Sequence, residues 1–144
     1  MDNHDFSKGV EVVCSALIES KNGKILLGQS PKWHNKWVFP GGHIDIGETI
    51  KEAVVREAKE EMGIEVEPTD WQVSGELINS QDFHRPGHFI YFDVLCLAES
   101  EQVKIDQREI TDYIWVDPKE ALTMDLAESY SEVIKKYLNY KNKI

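Results

Sequence analysis

The segment Gly41–Val66, GGHIDIGETIKEAVVREAKEEMGIEV, constrains the fold of this chain more than any other stretch. Its apolar side chains recur at helical spacing, so the pattern predicts a helix over Glu48–Met62. Gly63 is suited to ending that helix, because glycine adopts the left-handed conformation at helix C-termini. Thr49 is suited to capping its start, with Glu52 three residues later completing a capping box.

The acidic residues of this helix do not all lie on its polar side. At about 100° per residue, Glu57 and Glu61 fall inside the apolar arc, Glu60 lies at its edge, and Arg56 lies on the opposite, polar side. Carboxylates that face a core repel each other unless a cation neutralises them. Oxygen ligands with several negative charges suit Mg²⁺ or Mn²⁺. The alternative is an acidic surface helix that binds no metal.

The charge of the whole chain supports the same idea. A net charge of −10 argues against binding to nucleic acid or to an anionic membrane. It also repels a polyphosphate unless a cation stands between the two, which a metal on the helix would provide. Gly41, Gly42 and Gly47 precede the helix and allow the backbone to approach a ligand or adopt positive φ.

The remaining sequence predicts more strands than helices. Strands are expected where β-branched and apolar residues cluster, and a loop with two tryptophans is expected over Gln29–Pro40. Strands flanking a central helix indicate an α/β fold with a mixed sheet and helices packed on it. The predicted strands are Val10–Glu19, Lys24–Gly28, Trp71–Ile78, His88–Ala98 and Asp112–Val116; further helices are expected within Asp117–Ala121 and Ala127–Tyr140.

Length and cysteine content suggest the setting of the protein. The 144 residues fit a single domain over residues 1–144. Cys14 and Cys96 lie in apolar runs and are interpreted as buried thiols, which favours a reducing, cytoplasmic setting. The chain has no 18-residue apolar run, and the start MDNHDFSKG lacks the apolar core of a signal peptide. We therefore expect neither a membrane span nor a secretory leader.

The helix and its flanks resemble a known family motif. Residues 42–64 are similar to the Nudix box, G-x5-E-x7-R-E-U-x-E-E-x-G-U. Gly42 is followed after five residues by Glu48, and Glu48 after seven residues by REAKEEMGI over 56–64. Ala58 is small where a bulky aliphatic residue is usual. The lead-in WVFPGG over 37–42 also resembles the family, as does Trp115-Val116 followed by Glu120.

The resemblance implies a Nudix hydrolase, an α/β/α sandwich whose loop–helix–loop binds divalent cations. Such enzymes cleave a nucleoside diphosphate linked to another group. Gly42, Glu48 and Arg56 are expected to brace the loop against the helix rather than to perform chemistry. The expected metal ligands are Glu57, Glu60, Glu61 and the carbonyl of Gly41.

A further carboxylate outside the box completes the site in many family members, from a loop before the last strand. Glu109 is the candidate here, as an extra ligand or as the general base, and Asp106 and Asp112 are weaker alternatives. The implied reaction is attack of water on phosphorus, with Glu57 or Glu109 taking the proton.

The substrate is expected to be a small nucleotide. The small Nudix nucleoside triphosphatases are the most similar in pattern, so the favoured reaction splits a nucleoside triphosphate into monophosphate and pyrophosphate. The alternatives are an ADP-ribose or nucleotide-sugar pyrophosphatase and a non-catalytic nucleotide-binding module. Dimers are frequent in the family, so the resemblance also allows a homodimer.

Two residues are singled out as substrate contacts. Phe39, beside the glycines, is the candidate to line the base pocket, where Trp33, Trp37, Phe83 and Tyr91 are further aromatic candidates. Arg85, in the loop FHRPGH over 83–88, is the candidate to meet a phosphate.

Overall fold

The computed structural model of the protein describes residues 9–143. The expectation that the chain has no secretory leader rests almost entirely on residues 1–8, which lie outside the described residues. In the part that is described, no helix is both long and apolar enough to cross a membrane.

Seven strands and three helices make up the described chain. A 3-10 turn at Pro31–Trp33 separates β2 from β3. The strands are β1 (Val10–Glu19), β2 (Ile25–Ser30), β3 (Lys36–Val38), β4 (Gly41–His43), β5 (Val66–Ile78), β6 (His88–Ala98) and β7 (Asp112–Val116), and the helices are α1 (Ile50–Met62), α2 (Pro118–Ala121) and α3 (Tyr130–Lys141).

The strands form one mixed sheet in the order β3-β2-β1-β6-β5, with β4 paired to β1 and β7 to β2. β1 and β6 are parallel and pair over ten residues, from Val10–His88 to Glu19–Leu97. The other pairings are antiparallel. β6 lies inside the sheet, since β1 and β5 flank it.

Helices cover both faces of the sheet. Because side chains alternate along a strand, β1 sends Ala16 and Ile18 to the face covered by α1 and Leu17 to the face covered by α3. On the α1 face, Ala16 and Ile18 belong to the same buried cluster as Val54 and Met62 of α1. On the opposite face, Leu17 belongs to a buried cluster that includes Val133, Ile134 and Tyr137 of α3. The predicted α/β/α sandwich is confirmed.

Local prediction failed where long-range pairing decides the structure. The expected loop over Gln29–Pro40 contains the end of β2 and all of β3, because these strands pair with each other. β5 begins at Val66 and not at Trp71, since its first residues pair with the end of β6 across an irregularity between Pro68 and Gln72. α3 begins at Tyr130 and not at Ala127, because Ser129 has a φ of 84°.

Both cysteines are buried free thiols, as predicted. Cys14 lies on β1 and Cys96 on β6, each packed against the α1 side of the sheet. Burial raises the pKa of each thiol to about 12, so neither is poised to react as a thiolate.

Candidate active site

Helix α1 is fixed at both ends by the residues that the sequence indicated. The Thr49 side chain accepts from the Glu52 backbone N–H, and the Glu52 carboxylate accepts from the Thr49 N–H, which completes the capping box. Gly63 ends the helix with a φ of 61°. The caps set where the helix begins and ends. Its buried residues Ala53, Val54, Ala58 and Met62 set its rotation on the sheet, and with it which glutamates face the interior.

Two of the glutamates face the interior. Glu57 and Glu61 are only 7% and 9% exposed, as their place in the apolar arc predicted. Burial raises the pKa of Glu61 well above its usual range, and the hydrogen bond and charge of Glu57 raise it further. The Gly41 N–H donates to Glu61 Oε1 at 3.2 Å and partly offsets that rise. The pair therefore forms a carboxylate site that favours a bound cation.

Arg56 does not point away from the carboxylates, and the prediction that it lies on the solvent side is wrong. Its Nη1 donates to Glu57 Oε1 at 2.8 Å and to Glu60 Oε2 at 3.3 Å. Its Nε and Nη2 donate to Glu48 at 2.7 and 2.9 Å, and Nη2 also donates to the His43 carbonyl. The arginine side chain is long enough to curl around the helix, which a projection from Cα positions misses.

The Arg56 contacts join the loop to the helix. Hydrogen bonds from Arg56 and from the Asp45 N–H lower the pKa of Glu48 to about 2, so Glu48 is ionised at neutral pH. The pKa of Arg56 is raised in turn, chiefly by its hydrogen bonds to Glu48. Arg56 on α1 is thus joined to Glu48 and to the His43 carbonyl in the loop before the helix, where a bracing role was predicted.

Glu60 stands apart from the buried pair, with 57% of its side chain exposed. Among residues 9–143, no three His, Cys, Asp or Glu side chains converge into a metal-binding group. The predicted platform of three glutamates is therefore present as a close pair with a third carboxylate turned toward Arg56. The residues still suit a hard divalent cation, because Glu57 and Glu61 bring two buried carboxylates together on the same helix as Glu60.

The glycines before the helix bring backbone close to the carboxylates. A Cβ at Gly42 would stand 2.7 Å from Glu57 Oε1, and a Cβ at Gly41 would collide with the backbone of Cys14 and Ser15. Gly47 has a φ of 86°. Each position therefore requires glycine, for close approach at 41 and 42 and for backbone conformation at 47.

Glu109 lies in the same cavity as the helix glutamates. Its carboxylate forms an ion pair with Lys32 at 3.1 Å, and its charge contributes to the raised pKa of Glu61. Asp106 also lines the cavity but is engaged by Arg108. Asp112 is exposed at the start of β7 and is not among the residues that line the cavity. Glu109 is thus the better placed of the three candidates.

A cavity of about 710 Å³ opens beside the carboxylates, and both α1 and the start of α3 contribute to its walls. One end is acidic and holds the helix glutamates and Glu109. The other end is aromatic, with Trp33, Phe39, Phe83, Phe89, Tyr91 and Tyr130. Phe39 is buried against Tyr130, with ring centroids 4.8 Å apart. Trp37 does not line the cavity; it bridges to Leu126 and packs with the core under α3.

Arg85 is not among the lining residues of the cavity, contrary to the expectation that it meets a phosphate. Its guanidinium donates to both oxygens of Glu11 at 2.7 and 2.8 Å and lies over the rings of Phe83 and Phe89. Burial alone would raise the pKa of Glu11, but Arg85 and His43 lower it overall. A buried acid on β1 attracts the arginine, and the sequence alone does not indicate that pairing.

Sequence reasoning missed several cavity residues. Lys32 and Arg108 supply positive charge beside the acidic end. Ser15 and Asp93 lie near the aromatic end, and the Ser15 hydroxyl donates to Asp93 Oδ1. A signal for Asp93 existed, because it is a lone acid in the apolar strand β6, and alternation places it on the same side as Phe89 and Tyr91.

Comparison with known proteins decides the family. The model of the NUDIX domain matches residues 10–137, which includes nearly all of the described fold and every residue of the site above. The chain belongs to the Nudix family. It is a hydrolase of the MutT-like type, and the activity that this membership supports is pyrophosphohydrolysis of substrates linked through a nucleoside diphosphate.

Individual Nudix relatives resemble the chain over most of its length. A CTP pyrophosphohydrolase of Escherichia coli strain K12 is 31% identical over 140 residues, which covers 91% of this chain and 93% of the relative. An m7GpppN-mRNA hydrolase of Xenopus laevis is 29% identical over 136 residues, but these cover only 46% of that longer protein and 84% of this chain. The crystal structure of a MutT protein from Methanosarcina mazei Go1 superposes with a TM-score of 0.72 at 27% identity, covering 94% of this chain and 96% of that one.

Proposed function

We propose that this Nudix hydrolase splits a nucleoside triphosphate or deoxynucleoside triphosphate into the monophosphate and pyrophosphate, with Mg²⁺ as the cofactor and Mn²⁺ as a substitute. One observation carries the proposal: a single cavity joins an aromatic end to a cluster of carboxylates. A nucleotide has the same two ends, a flat base and a chain of phosphates. The name of the Escherichia coli relative, a CTP pyrophosphohydrolase, supports the same class of substrate.

The residues that would hold the cation are Glu57, Glu60 and Glu61, with the carbonyl of Gly41. When bound there, a divalent cation neutralises phosphate charge and makes water more acidic. Glu57 and Glu61 are already buried together, so they need little reorganisation. Glu60 would join them if it gave up its hydrogen bond of 3.3 Å from Arg56.

Side chains of the cavity hold the substrate and move the proton. Phe39 and Tyr91 border the base, while Lys32 and Arg108 lie near enough to the acidic end to offset phosphate charge. A water oxygen forms a bond to phosphorus, the bond between the α and β phosphates breaks, and the water proton passes to Glu109 or Glu57. The phosphate that water does not attack leaves with the electron pair of the broken P–O bond, so attack at either the α or the β phosphorus gives the monophosphate and pyrophosphate.

The rest of the Nudix box supports this arrangement. Glu48 and Arg56 tie the glycine loop to α1 through two hydrogen bonds, and the absence of a side chain at Gly42 leaves room for the Glu57 carboxylate. We assign these three residues to positioning, since Arg56 holds Glu57 through its Nη1. A site held in this way satisfies the geometric demands of phosphoryl chemistry.

Product analysis on a substrate panel tests the proposal. The panel contains the eight common nucleoside triphosphates, ADP-ribose, a nucleotide sugar and a dinucleoside polyphosphate, each incubated with Mg²⁺ or with EDTA. The expected result is pyrophosphate with nucleoside monophosphate from one or more triphosphates, only with Mg²⁺. Monophosphates from ADP-ribose or the nucleotide sugar, without pyrophosphate release from any triphosphate, would contradict it.

A further inference from the structure

The cavity contains one buried carboxylate oxygen that neither the metal site nor the bracing contacts use. Asp93 is 3% exposed, and its Oδ1 accepts from the Ser15 hydroxyl. Its Oδ2 is the one buried side-chain oxygen or nitrogen within residues 9–143 that has no hydrogen-bond partner. Buried polar atoms are nearly always paired, because an unpaired one costs about 1–3 kcal/mol. An unpaired oxygen in a cavity wall therefore points to a missing ligand group.

The position of Asp93 is set by strand register. Gly41, Ser15 and Asp93 pair directly across β4, β1 and β6. Neighbouring strands lie about 4.8 Å apart, so the Asp93 backbone is ~10 Å from that of Gly41. Gly41, at the metal site, and Asp93 therefore lie on either side of Ser15, in line across three neighbouring strands. A sugar fits between a phosphate chain at the Gly41 end of this line and a base at the Asp93 end.

Aromatic rings identify the Asp93 end as the place for a base. Phe89, Tyr91 and Asp93 alternate onto the same face of β6, and Tyr130 of α3 lines the cavity beside them. The titratable groups near Asp93 are the two tyrosines, and burial raises the pKa of both, so they are neutral at physiological pH. No cation of the described chain competes for Asp93 Oδ2, since that atom has no partner.

We infer that Asp93 determines base specificity by accepting a hydrogen bond from an exocyclic amine of the substrate base. The inference rests on the proposed function and names its substrate class: triphosphates of amino bases such as cytosine and adenine. A base with a carbonyl at the same place, such as uracil or hypoxanthine, brings oxygen against oxygen and leaves both unpaired. A site built to pair with a donor discriminates strongly against an analogue that lacks it.

Substitution by asparagine tests the inference, because Asp93→Asn keeps the shape of the side chain. The Ser15 hydroxyl would hold the amide oxygen of the asparagine, which turns its NH₂ group to the base and favours a carbonyl. Asp93→Asn is also expected to fold, because it removes a buried carboxyl and no packing volume. The matched control is Asp70→Asn on β5, since Asp70 is exposed and pairs with Lys51 outside the cavity.

The first readout is the ratio of kcat/KM for CTP over UTP and for ATP over ITP, at about pH 8.5. At that pH a carboxyl with a pKa of about 7 is ionised. The wild type and Asp70→Asn are expected to prefer the amino member of at least one pair by about tenfold or more. Asp93→Asn is expected to lower that ratio by about tenfold or to reverse it. Ratios that stay within about twofold of the wild type would overturn the inference.

The second readout does not depend on hydrolysis. Calorimetry in metal-free buffer compares the binding of CMP with UMP, and of CMP with dCMP. Tighter binding of CMP than UMP, lost in Asp93→Asn, supports the inference even if no triphosphate is hydrolysed and the proposed function fails. Triphosphate hydrolysis with unchanged base ratios would retain the proposed function and overturn the inference. An Asp93→Asn effect confined to the CMP against dCMP comparison would also overturn it, because Asp93 would then bind the sugar.

Discussion

Gly42 lies directly against the carboxylate of Glu57, so that a Cβ at position 42 would stand 2.7 Å from Glu57 Oε1 and 3.0 Å from its carboxyl carbon. The contact links the loop before α1 to the carboxylate that Arg56 also holds. An added methyl group at position 42 would push this end of the Glu57 side chain away from its hydrogen bond with Arg56.

Gly42→Ala is therefore expected to displace Glu57 without unfolding the protein. A displacement of about 1 Å in a catalytic group can cost ~100-fold in rate, so kcat/KM for the best triphosphate should fall at least that far. Steady-state kinetics and thermal unfolding measure the two effects. Gly9→Ala is the control, because nothing lies within 4 Å of a Cβ there. Activity of Gly42→Ala within about threefold of the wild type would show that Glu57 is not held in place for catalysis.

Glu61 gives a prediction about stability without metal. Its pKa is raised in the folded protein by burial and by Glu57, so the native state binds a proton more tightly than the unfolded state does. The stability that this proton provides is present below the unfolded pKa and is lost as pH rises through the raised folded pKa. In EDTA at about pH 8, Glu61→Gln should therefore be at least as stable as the wild type.

Mg²⁺ should reverse the order of these two proteins. Binding at one hundred times Kd stabilises a folded protein by ~2.7 kcal/mol, so the wild type should gain melting temperature with Mg²⁺ and Glu61→Gln should gain little. Differential scanning calorimetry with and without Mg²⁺ measures this. The exposed Glu65→Gln serves as control and should respond as the wild type does. Equal responses of wild type and Glu61→Gln would favour an acidic helix that binds no metal.

Glu109 is expected to affect the chemical step more than substrate binding. If its carboxylate takes the proton, Glu109→Gln should lower kcat by ~100-fold or more with little change in KM. The exposed Glu120→Gln controls for the change of charge. An increase in KM with unchanged kcat would assign Glu109 to binding, together with its partner Lys32.

Asp93 gives a prediction about pH and stability. Burial raises its pKa from 3.8 to about 7, and the hydrogen bond from Ser15 only partly opposes this. Stability from the protonated form is present below about pH 4 and is lost as pH rises toward 7, a change of at most ~4 kcal/mol. The free energy of unfolding of Asp93→Asn, relative to that of the wild type, should therefore rise by ~2–4 kcal/mol from pH 4 to pH 8, as measured by urea unfolding. A difference that does not vary with pH would contradict the assignment.

Local rules predicted the parts of the fold that depend on neighbours in sequence. Thr49, Glu52 and Gly63 fixed the ends of α1, and the apolar arc placed Glu57 and Glu61 inside. These features follow from hydrogen bonds and periodicity within one helix. The extent of β3 and β5 did not follow, since it depends on pairing with distant strands.

The parts of the site that the sequence did not reveal depend on side-chain reach and on distant contacts. Arg56 curls back to Glu57, although its Cα lies on the polar side of α1. Arg85 is captured by the buried Glu11, which lies 74 positions earlier in the chain. Asp93 meets Ser15 only because β1 and β6 are parallel and in that register. These contacts cannot be predicted from a single sequence, because they depend on side-chain conformation and on the packing of distant segments.

The most direct test of the central claim is a Mg²⁺ titration of pyrophosphate release from a nucleoside triphosphate, with wild type and Glu57→Gln side by side. The expected result is release that saturates with Mg²⁺, is abolished by EDTA, yields one monophosphate for each pyrophosphate, and falls by ~100-fold or more in Glu57→Gln. Release that is independent of Mg²⁺, or that survives in Glu57→Gln at the wild-type rate, would contradict it.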